Sequence, residues 1–359
     1  MIDNSNNIAS PEIYNFEVFE VNPPEHWNDT ILSLGGNIFH SSFWAGYETT
    51  IQGGTPVYIL AKDSLGKPCA ASMAYFYQSN NPFLSLVTRY LELPTHPCVI
   101  VKSEYLISDF IYRCENYARK KGCARISIGS NMSENSAFLP EKSQYKEYQR
   151  AEFLVDLSAE TTVLWGAIKK DQRDRIKKIE KKGLILSEGV TLEDLKGLKV
   201  VRESTQKRRT SKNQGYELRK EEEFYSNIYE QLISPGIARL FIAKHDDFVV
   251  AAILFSAFNK QAYSIFSGST DFGYKAGAQS GLYWLAVNTF KDEGYRSLNR
   301  GGLPAAAENE EHELHGIYRF KHRLGTTPRL CRSGVKILSP FRNNVCKLKD
   351  RVGSFLRGT

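Results

Sequence analysis

Two stretches of the chain, VYILAKDSLGKPCAASMAYF (residues 57–76) and ARLFIAKHDDFVVAAILFSAF (residues 238–258), carry one pattern. Each opens with an apolar run ending in Ala-Lys, at Ala61-Lys62 and at Ala243-Lys244. A short polar turn follows, and each resumes as a small-residue apolar run through Ala70-Ala71 or Ala251-Ala252. Strand, tight turn, strand is the reading of both. The echo continues downstream. In 105–130 the apolar residues Ile107, Phe110, Ile111, Cys114 and Tyr117 recur at helical spacing. In 280–302 Leu282, Leu285, Ala286 and Phe290 do the same. Both helices stop at a glycine after a charged turn, Gly122 and Gly294, as a C-terminal cap requires. A short strand ending in Gly129 or Gly301-Gly302 closes each unit. The order hairpin, helix, strand therefore points to a duplicated α/β unit; the alternative is two unrelated segments of similar pattern.

Composition sets the frame for that unit. In 359 residues, 42% hydrophobic and 24% charged, one or two ordinary globular domains are expected. The repeat favours two, over 1–150 and 151–330, with a basic tail at 331–359. The N-terminal segment has neither the basic start nor the apolar core of a secretory signal. The longest wholly apolar run, Phe248 to Phe255, is far shorter than the roughly 20 residues of a membrane span. Six cysteines without a C-x-x-C pair suit reduced thiols and a cytoplasmic protein.

The formal net charge of +7 is unevenly placed. KKDQRDRIKKIEKK (residues 169–182) has eight basic and three acidic residues, and 336–357 has six basic residues and Asp350. The cluster KRRTSK adds Lys207, Arg208, Arg209 and Lys212. Each block alone reads as a solvated helix face; three of them shift the expectation towards a polyanionic substrate. The first block belongs to a helix expected from about Thr161 to Gly183, and IYRFKHRLG (residues 317–325) reads as a short strand. In the tail, Val345, Leu348 and Val352 fall on one helical stripe beside basic residues, the pattern either of an interfacial helix or of one packed on its own domain.

Candidate chemistry is sparse. His312 and His315 with Glu308 or Glu313 fit no strong metal pattern, and no nucleophile elbow or P-loop is present. SGSTDFGYKAGAQSG (residues 267–281) places Gly273, Gly277 and Gly281 with Lys275, Gln279 and Ser280 before a helix. Amides there can hold phosphate oxygens, or the glycines can serve turn geometry.

The order of these features resembles the FemABX family of aminoacyl transferases. The resemblance rests on the basic helix Arg173–Gly183, on Thr205-Gln-Lys-Arg208, on the hairpin-helix-strand unit of 238–300, and on Phe320-Lys321-His-Arg-Leu-Gly325. The family's long coiled-coil arm and its usual proline-glycine signature have no counterpart here; Leu93-Pro-Thr-His-Pro97 stands near the latter's place.

The resemblance implies an α/β (α+β) fold of two tandem GNAT-like domains, each a mixed sheet flanked by helices. It also implies acyl transfer from an activated donor to an acceptor amine, without metal or resident cofactor. The basic blocks favour aminoacyl-tRNA as donor, with acyl-CoA as the alternative. The acceptor would belong to a phosphate-bearing cell-wall, nucleotide-linked or lipid-linked precursor, with peripheral contact at the inner membrane surface. Lys321 is the expected catalytic residue, projecting opposite Phe320 by strand alternation; otherwise it is one of four basic residues, with Arg319, His322 and Arg323, on an exposed strand. Arg208 would bind phosphate or is a surface arginine. Tyr274, Lys275 and Gln279 are further candidates for the donor. The competing class is a non-catalytic basic binding module.

Overall fold

The computed structural model describes residues 14–79, 81–101, 103–133, 145–211, 214 and 222–357, without side chains beyond Leu348. Lys212 and most of the polar stretch 131–149 lie outside them. In chain order the elements of the first part are β1 (Asn15–Glu20), α1 (Trp27–Ser33), α2 (Ser42–Gln52), β2 (Thr55–Lys62), β3 (Pro68–Tyr77), α3 (Pro82–Thr88), β4 (Tyr90–Leu93), β5 (Cys98–Val99), α4 (Glu104–Lys120) and β6 (Arg125–Ile128). Then come β7 (Lys146–Asp156), α5 (Thr161–Ala167), α6 (Lys170–Lys177), β8 (Ile185–Gly189), α7 (Leu192–Thr210), α8 (Glu222–Ile228), β9 (Ala238–His245) and β10 (Phe248–Phe258). The chain continues through β11 (Gln261–Ser269), α9 (Asp271–Ala276), α10 (Ala278–Asp292), β12 (Ser297–Pro304), α11 (His315–Arg323), β13 (Thr327–Ile337) and α12 (Pro340–Arg357).

The repeat read from the sequence is present, and it is joined in a way the sequence did not announce. Twelve strands form one sheet in the order β1-β2-β3-β4-β6-β13-β7-β12-β11-β10-β9-β8, with β5 paired to β3. Read inwards from either edge, the pairings are the same: three antiparallel steps, one parallel step (β4 to β6, or β11 to β12), then one antiparallel step. The innermost strands are exchanged. β7 follows β6 in the chain but pairs with β12, while β13 pairs with β6. β7 and β13 also pair with each other across the middle, with Arg150 opposite Cys331. A mixed sheet in each half, flanked by helices, is thus fused edge to edge with its twin. Residues 331–337, grouped above with the tail, are central strand.

Packing follows the amphipathic spacing. On one face α4 sets Ile107, Phe110, Ile111 and Cys114 against Val57, Ile59, Ile126 and Ile128. In the second half α10 sets Leu282, Ala286 and Phe290 against Phe241, Ile253, Phe255 and Leu298. The opposite faces of both halves share a single core. There Trp27, Ile31 and Trp44 meet Tyr58, Leu60 and Met73, continuous with Leu195, Leu198 and Val201 against Leu240, Ile242 and Leu254. α7 lies so close to β11 that a Cβ on Gly268 would stand 2.7 Å from the Val201 carbonyl.

Two local expectations are corrected. The helix expected from Thr161 to Gly183 is broken at Ile168-Lys169, both extended. Ile168 is buried, and the Lys169 amide bonds the Arg323 carbonyl at 2.9 Å. Arg173 folds back to donate to the Gly166 (3.0 Å) and Ile168 (2.6 Å) carbonyls, satisfying the orphan acceptors at the end of α5. Secondly, Lys321 is on helix α11, not on a strand. Leu314, Ile317, Tyr318 and Lys321 follow the i, i+3, i+4, i+7 period of a helix, and Tyr318 plants that face in a small core with Phe153 and Ala307.

Candidate active site

β11 and β12 run parallel but pair only through Gln261–Ser297, Ala262–Leu298 and Tyr263–Asn299. Beyond that point β12 is bulged against β7 between Asn299 and Gly302. The bend is set by Asn299, whose Oδ1 accepts the Gly301 amide at 2.8 Å, and by Gly301 at φ +72°, a backbone region that favours glycine. Space matters there as well. The Ser264 carbonyl, the Tyr263 hydroxyl and the Lys321 ammonium all lie within 4 Å of where a Cβ on Gly301 would stand. Lys321 reaches this divergence from α11. Its Nζ donates to the Arg300 (2.7 Å) and Gly301 (3.1 Å) carbonyls and lies 5.2 Å from the Phe153 ring centroid. An ammonium has three protons, so among the described residues one is left for a substrate.

The surrounding charge is mostly positive. Glu152, wholly buried on β7, accepts the Met132 amide (3.2 Å to each oxygen) and the Asn299 amide (2.8 Å). Arg150 and Arg329 stand 3.6 Å from it on either side. Arg150 also donates to Asn131 Oδ1 and reaches the Tyr263 hydroxyl at 3.5 Å. Arg300 is only 6% exposed, its guanidinium 5.1 Å from the Tyr283 ring centroid, and burial lowers its pKa to about 10. Lys321 is half-buried as a residue but its ammonium is enclosed. Desolvation first, then Arg300 and Arg150, bring its pKa down to about 7; Glu152 opposes the shift and Arg209 adds to it. Such a group exchanges protons near neutrality, and the pocket of fixed positive charge favours an anionic or oxyanionic species.

The other residues singled out from the sequence lie elsewhere. Arg208 and Tyr274 come together, guanidinium 4.7 Å from the ring centroid. Arg208 also donates to Asp271 (2.9 Å), to the Ser269 carbonyl (3.3 Å) and to Thr205 (3.2 Å), tying α7 to the start of α9. Gln279 donates to the Ala252 (3.1 Å) and Gly268 (2.7 Å) carbonyls, bridging β10 and β11. Lys275 is exposed on α9. Arg323, grouped with Lys321 as a basic neighbour, makes a two-pronged pair with Asp171 of α6. No three of His, Cys, Asp or Glu gather as metal ligands among the described residues. Sequence reasoning missed Arg150, Glu152, Asn299 and Arg300. The one available signal was Glu152 standing directly before the apolar run Phe153-Leu154-Val155.

The glycine-rich start of α10 is covered. Ser280 donates to Gln172 of α6 at 2.8 Å, and the Arg175 side chain lies 3.2 Å from a Cβ on Gly277. Lys182 caps the Ala276 carbonyl at 2.7 Å, and Ile179 and Leu186 close over Gly281. The outer side of this covering segment exposes Lys169, Lys170, Arg175, Lys177, Lys178 and Lys181.

Residues 167–322, which hold α6, the divergence and Lys321, match the model of the acetyltransferase (GNAT) domain family. The crystal structure of FemX superposes with a TM-score of 0.69 at 13% identity, over 92% of this chain and 99% of that one. The chain has the twin-GNAT fold of FemX. L-PGS from Bacillus licheniformis shares this FemABX-like arrangement with a TM-score of 0.55 at 15% identity, over 93% of this chain and 99% of that one. A tandem GNAT protein from the clavulanic acid biosynthesis pathway gives 0.50 at 12% identity, over 91% and 99%. No curated protein sequence matches the chain significantly. Within this FemABX-like fold, no helix of the described residues is long and apolar enough to cross a membrane.

Proposed function

We propose that this GNAT-type acyltransferase transfers an aminoacyl group from aminoacyl-tRNA to the amine of a phosphate-bearing precursor in the cytoplasm. The observation that carries the choice of donor is the covering of α10. A helix N-terminus with free amides is a natural seat for a pyrophosphate, and here α6 lies against it, Gln172 accepting from the Ser280 hydroxyl and the Arg175 stem running beside Gly277. The same segment turns six basic side chains to solvent, which suits the spaced phosphates of a nucleic acid better than the few of a thioester cofactor. The acceptor amine attacks the ester carbonyl, and the carbonyl π electrons move to oxygen. Collapse of the tetrahedral species breaks the bond to the ribose oxygen, which leaves with the proton lost by the amine. Lys321, with one N–H uncommitted, stabilises the oxyanion; Arg300 and Arg150 hold the local field positive. Proximity and charge stabilisation suffice, because the donor is already activated.

The test is binding and turnover with charged tRNA beside acyl-CoA. The expected result is tRNA-dependent transfer with log affinity falling linearly against log salt, at a slope of about −0.7 to −0.9 per phosphate contact. Lys170→Glu/Lys177→Glu/Lys181→Glu should weaken binding and flatten that slope. Turnover with acyl-CoA alone, or salt-insensitive tRNA binding, overturns the reading.

A further inference from the structure

α3 and α12 pack side by side on the first half, where Cys346 Sγ donates to the Thr88 carbonyl at 3.5 Å. Their inner faces are filled, with Thr88, Asn343 and Cys346 all buried. Their outer faces carry Phe83 (91% exposed), Leu86 (68%), Phe341 (72%) and Leu348 (63%). Four large apolar side chains bared on two adjoining helices form a face without a partner among the described residues, of the kind that marks an interaction site.

Beside it a cavity of about 600 Å³ opens between α12 and the sheet, with Arg125, Lys146 and Lys347 on its walls against the single acid Glu92. Arg125 lies against an aromatic stack, its guanidinium 4.2 Å from the Tyr90 ring centroid and Tyr90 stacked on Tyr77 at 5.3 Å, with the Glu92 carboxyl feeling its charge. α12 itself carries five basic residues and one acid, Asp350. Apolar side chains bordered by cations match the boundary of an anionic bilayer, where tails accept the first and lipid phosphates the second. A second copy of this face is disfavoured, because it would bring one basic rim against another.

We propose that α3 and α12 seat the protein on the surface of a membrane containing anionic lipid. Phe83, Leu86, Phe341 and Leu348 enter the headgroup boundary, and Arg125, Lys146 and Lys347 face lipid phosphates. This docking stands apart from the choice of acyl donor, since it needs no turnover.

The experiment is co-sedimentation of the full chain with vesicles of phosphatidylcholine alone or with phosphatidylglycerol added. Binding to the anionic vesicles only, weakened by salt, is expected. Phe341→Ser/Leu348→Ser should lower partitioning by at least roughly tenfold, and Lys146→Glu/Lys347→Glu should abolish the preference for anionic lipid, both with unchanged melting temperature. Phe83→Ser/Leu86→Ser on α3 serves the same purpose should the α12 variant fail to fold. Equal binding to both vesicle types, or wild-type partitioning by these variants, overturns the proposal. So does a dimer in light scattering that Phe341→Ser/Leu348→Ser dissociates, because the face would then be occupied by a second copy.

Discussion

Burial, Arg300, Arg150 and Arg209 all press the Lys321 ammonium to give up its proton, while Glu152 favours the charged form. If the ammonium is the working form, kcat/KM falls as pH rises through about 7. Lys321→Ala should cost roughly 10²–10³ in kcat and erase that break, whereas Arg319→Ala, exposed on the same helix, should leave both intact. A pH–rate profile of the three proteins decides it. The same shift has a thermodynamic sign. An unfolded chain keeps the lysine proton up to its ordinary value of 10.5, while the folded protein releases it near 7. Between those values the unfolded state binds more protons, so folding is favoured as pH rises. The stability difference between wild type and Lys321→Met should therefore move in the wild type's favour from pH 7 to 10.5, as read by denaturant titration.

His40 gives the matching effect on the acid side. Its Nδ1 accepts the Asn37 amide at 3.1 Å and its Nε2 donates to the His96 carbonyl at 2.9 Å. Burial lowers its pKa to about 4 from 6.5. The unfolded chain takes the proton first, so stability is intact above pH 6.5 and drains away as pH falls towards 4. The loss should amount to roughly 3 kcal/mol, and His40→Asn should remove most of that slope.

At the scale of elements, the close approach of α7 to β11 makes a sharp test. Gly268→Ala would put a methyl group 2.7 Å from the Val201 backbone, and the helix would have to lift. A cost of about 1–3 kcal/mol is expected. Gly166→Ala in α5, where a Cβ meets nothing within 4 Å, should instead stabilise by about 0.5–1 kcal/mol. Melting curves of the two variants check the contrast.

The elements also show what could be read in advance. The Phe-Lys-x-x-x-Gly spacing points to Lys321, but the local alternation of Phe320 and Lys321 reads as a strand, and only the longer period through Leu314 and Tyr318 marks the helix. The break before α6 escaped notice because no proline marks it; a tertiary bond from Lys169 to Arg323 makes it. Arg208 and Gln279 stood out by residue type, yet the structure shows them tying α7 to α9 and β10 to β11. Glu152 and Arg150 went unseen because their partners, Asn299 and Met132 for the first and Asn131 and Tyr263 for the second, are remote in the chain.

For the whole molecule, the repeat was legible because each unit is a local run of hairpin, helix and strand. The exchange of β7 and β13 was not, since strand partners across the centre leave no trace in spacing. That exchange predicts how the protein unfolds. With each half holding the other's innermost strand, calorimetry should show one cooperative transition. The segments 1–150 and 151–330, made separately, should fail to give soluble folded protein, because the first lacks β13 and the second surrenders the start of β7. Two resolved transitions, or two well-behaved fragments, would contradict this coupling.

The meeting of Arg150 with Cys331 in the centre of the sheet has a historical consequence. Two separate copies of a half-length ancestor, each lending its last strand to the other, would build this same sheet as an intertwined pair. At the axis of such a pair one residue of the strand faces its own twin. A gene fusion would free the twins to diverge, and the axis records that divergence as an arginine against a cysteine. Following the matched registers outwards, Glu152 corresponds to Ser333, Asn299 to Ser127 and Tyr263 to Glu92. In the present chain one half holds the ionic centre and the matched positions of the other do not, so two places equivalent by symmetry would have become different in kind. The released half is then at liberty to serve as a platform, and it is the half that carries α3 and α12.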